Sequence, residues 1–346
     1  MKIKAAIIGA TGYTGFELIR ILSLHKGIQS LSIISRKNEN TPLNQIYPSF
    51  NTIKNLNFET LDIDKISEGN DVVFAALPHK ASMKICSEFL KRGKKVIDLS
   101  ADFRFDNISL YEKWYAPHTE KDIAEQAVYG LPEIFYNEIK NSSLIANPGC
   151  YPTSAILALY PVLKERIKIN DNVIVDSKSG VTGAGRNPSL KTIFTEVHDS
   201  FSAYSVGSHR HEPEIEEKLS IIYGKPLNVT FTPHLLPINR GILSTVYIDL
   251  HEEKSTDDIY NMYTDTYKDK HFIKVLPLGK FPSTAMVKAS NYCFIGINYN
   301  EYSKKLIVVS VIDNIVKGAS GQAVQNMNIM FGMDEKTGLE HLPTFL

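Results

Sequence analysis

An α/β domain with a doubly wound parallel sheet is predicted over residues 1–150, and an α+β domain over residues 151–319. Three observations carry this reading. Short, apolar, β-branched runs alternate with segments of helical periodicity through the first part. A glycine-rich turn joins its first strand to its first helix. Beyond residue 165, strands of alternating polarity dominate and few helices interrupt them, as expected of a mixed or antiparallel sheet.

In order, residues 3–8 form a buried strand and residues 16–22 a helix with apolar side chains at helical spacing. Residues 31–34 and 71–77 are further strands, the second stopped by Pro78. Between 80 and 92, Ala81, Ile85, Phe89 and Leu90 share one helical face, and Gly93 suits the C-terminal cap. Residues 95–99 are the next strand. Right-handed crossovers put these strands into one parallel sheet. In the second part, residues 172–176, 227–231, 241–250, 285–289, 292–298 and 306–312 read as strands. Residues 320–331 read as a helix with Ala323, Val324, Met327 and Met330 along one side.

The 346 residues, 43% hydrophobic and 22% charged, have the composition of a soluble two-domain protein. Lys+Arg 38 against Asp+Glu 38 gives no net charge, which argues against nucleic acid or an anionic membrane surface as the main partner. No run reaches the ~18 apolar residues of a membrane span. The apolar run after Met1 is broken at Thr11-Gly12, too early for a signal peptide. Three cysteines, Cys86, Cys150 and Cys293, make no even framework, so reduced thiols in the cytoplasm are expected.

Gly9-Ala-Thr-Gly12-Tyr-Thr-Gly15 lies between strand and helix. There glycines let the backbone turn tightly and approach a pyrophosphate, and the helix start supplies N–H groups and a positive dipole end. This is a variant spacing of the Rossmann fingerprint. Gly9, Thr11, Gly12, Tyr13, Thr14 and Gly15 are the candidate cofactor contacts. The second strand ends in Ser35-Arg36-Lys37, where NAD enzymes place an acid. A hydroxyl and two cations suit a 2′-phosphate, so Ser35 and Arg36 point to NADP(H). The plainer alternative is a solvated loop.

Asn147-Pro-Gly-Cys150-Tyr-Pro-Thr153 precedes an apolar helix, with Pro152 fit for its first turn. Cys150 therefore sits at a helix N-terminus, where the dipole and N–H groups stabilise a thiolate and could hold an oxyanion. Cys86 and Cys293 read as buried hydrophobes. His209-Arg-His211-Glu-Pro-Glu214 lies at the mouth of another helix. A histidine there can exchange a proton near neutral pH, and Glu214 could orient His211. His-x-His also has a metal-ligand spacing, but no further cluster completes a ligand set, so no metal is expected. Gly180-Val-Thr-Gly-Ala-Gly-Arg186 lacks the Gly-Lys-Ser/Thr of a phosphate loop and reads as a flexible loop lining a site.

These segments, with Asp98-Leu-Ser-Ala-Asp-Phe-Arg104, Tyr129-Gly-Leu-Pro-Glu133, Pro237-Ile-Asn-Arg-Gly-Ile-Leu243 and the run from Asp313 to Asn326, span nearly the whole chain in order. In them the chain resembles the type 1 N-acetyl-gamma-glutamyl-phosphate reductases, in the group containing aspartate-semialdehyde and glyceraldehyde-phosphate dehydrogenases. Ser320 stands where a second alanine is expected. The resemblance implies a Rossmann domain and a catalytic and dimerisation domain of the glyceraldehyde-phosphate dehydrogenase type. The helix at 320–346 is expected to return and complete the first domain.

The resemblance further implies reduction of an acyl phosphate by NADPH through a Cys150 thioester, in arginine biosynthesis. His211 would be the acid/base and Glu214 its support. Arg104, Arg186 and Arg210 are substrate candidates, with Arg104 on the phosphate. Gly180 and Asn314 would lie near the nicotinamide, and a homodimer or homotetramer is expected. Two alternatives stand beside this. One is a related reductase acting on aspartyl phosphate or a carrier-bound aminoadipyl phosphate. The other is a non-catalytic NADP(H) sensor.

Overall fold

The computed structural model describes residues 2–53 and 55–344. The chain divides into two compact units. One comprises the residues up to Pro148 with Ala319–Glu340; the other comprises Gly149–Gly318 with the residues from His341.

The first unit is built on seven strands: β1 (Ile3–Ile8), β2 (Ile28–Ile34), β3 (Phe58–Glu59), β4 (Val72–Ala75), β5 (Lys95–Asp98), β6 (Val128–Tyr129) and β7 (Leu144–Ala146). All pair in parallel, in the order β3-β2-β1-β4-β5-β7-β6. The order reverses direction at β1, and ligands of open parallel sheets bind beyond the strand ends at that reversal. The central strands are apolar on both faces because helices cover both; β4 is buried at every residue.

The helix Gly321–Met330 packs on the helices Tyr13–Leu22 and Pro132–Asn141 and on β5. It is buried all round, so its polar side chains carry bonds inward. Asn326 donates to Gly130 O (2.9 Å) and Asn147 Oδ1 (3.1 Å), and Asn328 to Thr337 O (2.9 Å). The helix expected over 320–346 stops at Met330. Gly332 takes the left-handed φ of +66° and Gly338 of +74°, and the chain continues in turns.

The second unit holds β8 (Asn172–Gly180), β9 (Ser202–Ala203), β10 (Asn228–Leu236), β11 (Ile242–Asp249), β12 (Ile273–Val275), β13 (Cys293–Asn300) and β14 (Lys305–Ile312). They form a mixed sheet in the order β12-β13-β14-β11-β8-β10-β9. β11 buries alternate residues, the mark of a strand with one covered face. The long helix Cys150–Lys164 packs on β11 and β14 and against the helices Glu212–Tyr223 and Thr256–Tyr267. Pro161 within it has no N–H for the carbonyl of Leu157. The Tyr267 hydroxyl donates to that oxygen instead (2.5 Å), and Tyr263 donates to the next carbonyl, Ala158 O (2.7 Å).

The strand expected at 285–289 is not formed. Thr284–Val287 is a single 3-10 turn, and Ala289 takes a positive φ while its N–H donates to the buried Asp313 carboxylate (2.7 Å). Cys86 and Cys293 are fully buried, and all three cysteines are free thiols. Among the described residues, no helix is long and apolar enough to cross a membrane.

Candidate active site

In the first unit the three glycines after β1 serve different ends. Gly9 has φ +86°, and a Cβ there would lie 2.2 Å from Ala76 O. A Cβ on Gly15 would meet Gly9 O at 2.5 Å, so only glycine lets the helix start close on the turn. Over Gly12 the nearest atom is 3.6 Å from such a Cβ. Gly12 caps the helix Tyr13–Leu22 with no side-chain cap of its own. The first N–H groups of a helix have no intrahelical partner, so this open cradle fits a pyrophosphate. Thr11 and Thr14 hold the loop through their carbonyls, which accept from Tyr47 Oη (2.8 Å) and Ser320 Oγ (2.9 Å); Tyr13 is exposed.

Gly9 and Thr11 also line a cavity of about 330 Å³. Its walls are apolar, among them Ile34, Leu61, Leu77 and Ile85, and its polar end is Ser35, Arg36 and Lys37. The lining contains two cations and no carboxylate, which fits an adenosine carrying a 2′-phosphate.

Arg104 belongs to this unit and is 5% exposed. Its Nε donates to Asn147 O (2.8 Å) and a terminal nitrogen to Leu99 O (2.9 Å), which joins the ends of β5 and β7. Nearby, burial and the neighbouring Asp102 push the Asp98 carboxyl up to about 6.

In the second unit Cys150 is the first residue of its helix and Gly149 the cap, again with no side chain of its own to bond the helix start. Pro152 costs nothing in the first turn. The N–H of Gly149 donates to Glu214 Oε1 (2.9 Å), a carboxylate with no exposed surface. Glu214 lies in the first turn of Glu212–Tyr223, the helix that His211 caps. One helix start thus carries His211 and also reaches across to fix the turn bearing Cys150.

Tyr151, beside Cys150, packs its ring edge-on to His209 (5.5 Å), His211 (5.9 Å) and Phe231 (5.1 Å). Its hydroxyl meets that of Tyr204 at 3.0 Å, and Tyr204 Oη lies 3.4 Å from His209 Nε2. Burial raises both phenols above their usual range, and the nearby Cys150 sulfur adds to the effect. His209 Nδ1 accepts from the His211 N–H (3.1 Å), which leaves its ring proton on Nε2, facing Tyr204. Burial, aided by the Arg210 charge, lowers His209 to about 4, so it is neutral at pH 7.

Cys150, His211 and Glu214 therefore come together. Tyr151, Tyr204 and His209 join them; sequence reasoning gave the two tyrosines no role and left His209 as one of a histidine pair at a helix mouth. Tyr151 and His209 stood inside the quoted motifs; Tyr204 carried no signal. Arg186 and Arg210 belong to this unit and are exposed. Gly180 and Asn314 meet in one knot. Asn314 accepts from Gly241 N (2.8 Å) and donates to Thr182 Oγ1 (3.0 Å), and Gly180 N donates to Gly241 O (2.8 Å). A Cβ on Gly180 would strike Asn239 O at 2.6 Å. Among the described residues no group of three or more His, Cys, Asp or Glu is placed to hold a metal.

Comparison with known proteins gives a consistent picture. Residues 4–142 match the family model described as semialdehyde dehydrogenase, NAD binding domain, and residues 150–314 the one described as semialdehyde dehydrogenase, dimerisation domain. The chain is 50% identical over 344 residues to an N-acetyl-gamma-glutamyl-phosphate reductase of Desulfotalea psychrophila and 48% identical to one of Geobacter metallireducens, each alignment covering 99% of both chains. Among solved structures it resembles aspartate semialdehyde dehydrogenase II of Vibrio cholerae (TM-score 0.74, 16% identity, 96% of this chain and 99% of that one). The aspartate semialdehyde dehydrogenase of Candida albicans, solved with NADP, is similar at TM-score 0.74 and 14% identity, with the same coverage. These distant likenesses bear on the fold.

Proposed function

We propose that this chain, which belongs to the semialdehyde dehydrogenase family and within it to the N-acetyl-gamma-glutamyl-phosphate reductases, converts N-acetyl-L-glutamyl 5-phosphate to N-acetyl-L-glutamate 5-semialdehyde and phosphate with NADPH, a step of arginine biosynthesis. One observation carries the chemistry: Cys150 opens a helix whose cap, Gly149, is held by a buried carboxylate from the helix start that carries His211.

In this reading the Cys150 thiolate, stabilised by the helix start, attacks the acyl carbon; the C–O bond to phosphate breaks and phosphate leaves with its electron pair. A thioester remains on Sγ. NADP(H), when bound, supplies the hydride that reduces it. The helix-start N–H groups hold the alkoxide of the resulting thiohemiacetal, and protonated His211 gives it a proton. His211 takes back the hydroxyl proton as the C–S bond breaks, and the aldehyde leaves while the thiolate is restored. Glu214 positions the attacking turn. Gly9 to Gly15 hold the pyrophosphate, and Ser35 and Arg36 the 2′-phosphate. Asn314 and Gly180 shape the nicotinamide side, and Arg104, Arg186 and Arg210 serve the anionic substrate, Arg104 at the phosphate. The match to a dimerisation domain supports a homodimer or homotetramer, and the three free thiols support a cytoplasmic setting.

The test is the reverse reaction. Purified protein is given N-acetylglutamate semialdehyde, NADP⁺ and phosphate, and NADPH formation is followed by absorbance. Turnover that needs all three is expected; preference for aspartate semialdehyde would overturn the substrate assignment.

A further inference from the structure

The chain leaves the second unit through a π-helical turn, Val316–Ser320, and π-turns are rare and cluster at working sites. The turn is held firmly. Asp313 is fully buried; its Oδ1 accepts from Ile315 N (2.8 Å) and Val316 N (3.0 Å), its Oδ2 from Ala289 N (2.7 Å), and Arg240 stands 3.7 Å away. Gly318 N donates to Asp313 O (2.9 Å), and the buried Lys317 lies over the Phe272 ring (5.9 Å). Gly318 has no left-handed backbone that would demand glycine. Its demand is steric: a Cβ there would lie 2.7 Å from Cys150 Cβ and 3.2 Å from Cys150 Cα. Both are main-framework atoms of the nucleophile, neither of them the far end of a flexible side chain.

We propose that Gly318 is a positioning residue for the reductase chemistry: its bare Cα, clamped by the Asp313 turn, is the wall against which Cys150 is seated and its Sγ aimed. This rests on the reading of Cys150 as nucleophile. An added methyl group must push the first residue of the Cys150 helix aside by several tenths of an ångström, and misplacement on the 1 Å scale costs about 10²-fold in rate.

The test is Gly318→Ala, assayed for kcat, for the KM of NADP⁺ and for iodoacetamide labelling of Cys150 across pH. Cys86 and Cys293 are buried, so labelling of the folded protein reports Cys150. Expected are a kcat lowered about 10- to 100-fold, an NADP⁺ KM within about twofold, and a displaced pH profile of labelling. Because the clash is with Cβ, Cys150→Gly should relieve it. Gly318→Ala should therefore lower Tm, or prevent folding, in the Cys150 protein and do neither in the Cys150→Gly protein. If labelling Cys150 in the wild type leaves turnover intact, the reductase mechanism falls and the role of Gly318 with it. If labelling abolishes turnover yet Gly318→Ala keeps kcat and labelling within about twofold, or its effect on Tm is the same in both backgrounds, the role of Gly318 alone is overturned.

Discussion

Two helices in this molecule begin the same way and are used differently. Tyr13–Leu22 and Cys150–Lys164 each follow a buried strand and a tight turn, and each is capped by a glycine in extended backbone (φ −75°, ψ 166° at Gly12; φ −66°, ψ 156° at Gly149). At the first, nothing lies closer than 3.6 Å to a Cβ built on the glycine, and the nearby cavity ends in cations. At the second, a buried carboxylate already holds the cap N–H, and a thiol occupies the first helical position. A helix start is a partial positive charge. In the proposed reading, the first lends it to a diffusible anion. The second is tied by the Glu214 carboxylate and, in the same reading, lends it to a thiolate on the chain itself. The element itself does not decide between binding and catalysis; what stands on the cap N–H and at the next residue does.

The comparison breaks most sharply at Cys150. Cys150→Ser should lower turnover by at least ~10³-fold, measured in the semialdehyde assay, while NADPH affinity, measured by fluorescence titration, stays within about twofold. The reverse pattern belongs to the other helix start. A Cβ at Gly12 meets only Gly9 O, at an ordinary contact distance of 3.6 Å, so Gly12→Val should keep Tm within a few degrees yet raise the NADPH KM by about 10²-fold. Gly15→Val, by contrast, should fail to fold, since its Cβ lands 2.5 Å from a carbonyl oxygen. A Gly12→Val enzyme with an unchanged KM would dissolve the distinction between the two turns.

Smaller effects sharpen it. Arg36→Ala should raise the NADPH KM roughly tenfold and leave the NADH KM in place, because only the 2′-phosphate loses a partner. Equal effects on both nucleotides would remove Arg36 from the cofactor assignment. Glu214→Gln keeps an acceptor for Gly149 N but removes its charge; a charged hydrogen bond is stronger by about 1 kcal/mol, so kcat should fall roughly fivefold with the NADPH KM unmoved.

Much of this was legible in order along the chain. Period-two and period-3.6 patterning is local, so the parallel strands and the Cys150 helix can be read from neighbours. The failures are places where a distant residue decides. Ala285 to Ala289 alternates like a strand, but the Ala289 N–H is drawn to Asp313, and the backbone turns. The C-terminal helix, by contrast, read from its periodicity over residues 320–331, runs Gly321–Met330, because that boundary is set by neighbours. In the proposed catalytic cluster the cysteine, histidine and glutamate are written in motifs. The bond from Glu214 to Gly149 crosses 65 positions, and Tyr204 has no pattern to mark it. Sequence names the groups proposed to do chemistry and leaves unnamed most of those that hold them.

The smallest expected effect concerns the pH response of the second helix start. His209 is lowered from 6.5 to about 4, chiefly by burial, with Arg210 adding to it. Between those values the unfolded chain binds a proton that the folded one refuses, so this residue favours folding at neutral pH and loses that contribution as pH falls from about 6.5 towards 4. Asp98, in the other unit, has the opposite sign. Its carboxyl is raised to about 6 by burial first and Asp102 second, so its contribution is present at low pH and lost as pH rises through about 6. The two partly cancel in a simple melting curve of the wild type. They separate in His209→Asn, whose Oδ1 can still accept from the His211 N–H while Asp98 is unchanged. On going from pH 7.5 to pH 5, the wild type should lose about 2–5 °C more in Tm than His209→Asn. Equal losses would show that His209 is protonated as readily in the fold as in the open chain, and the dry, neutral ring set beside His211 would have to be given up.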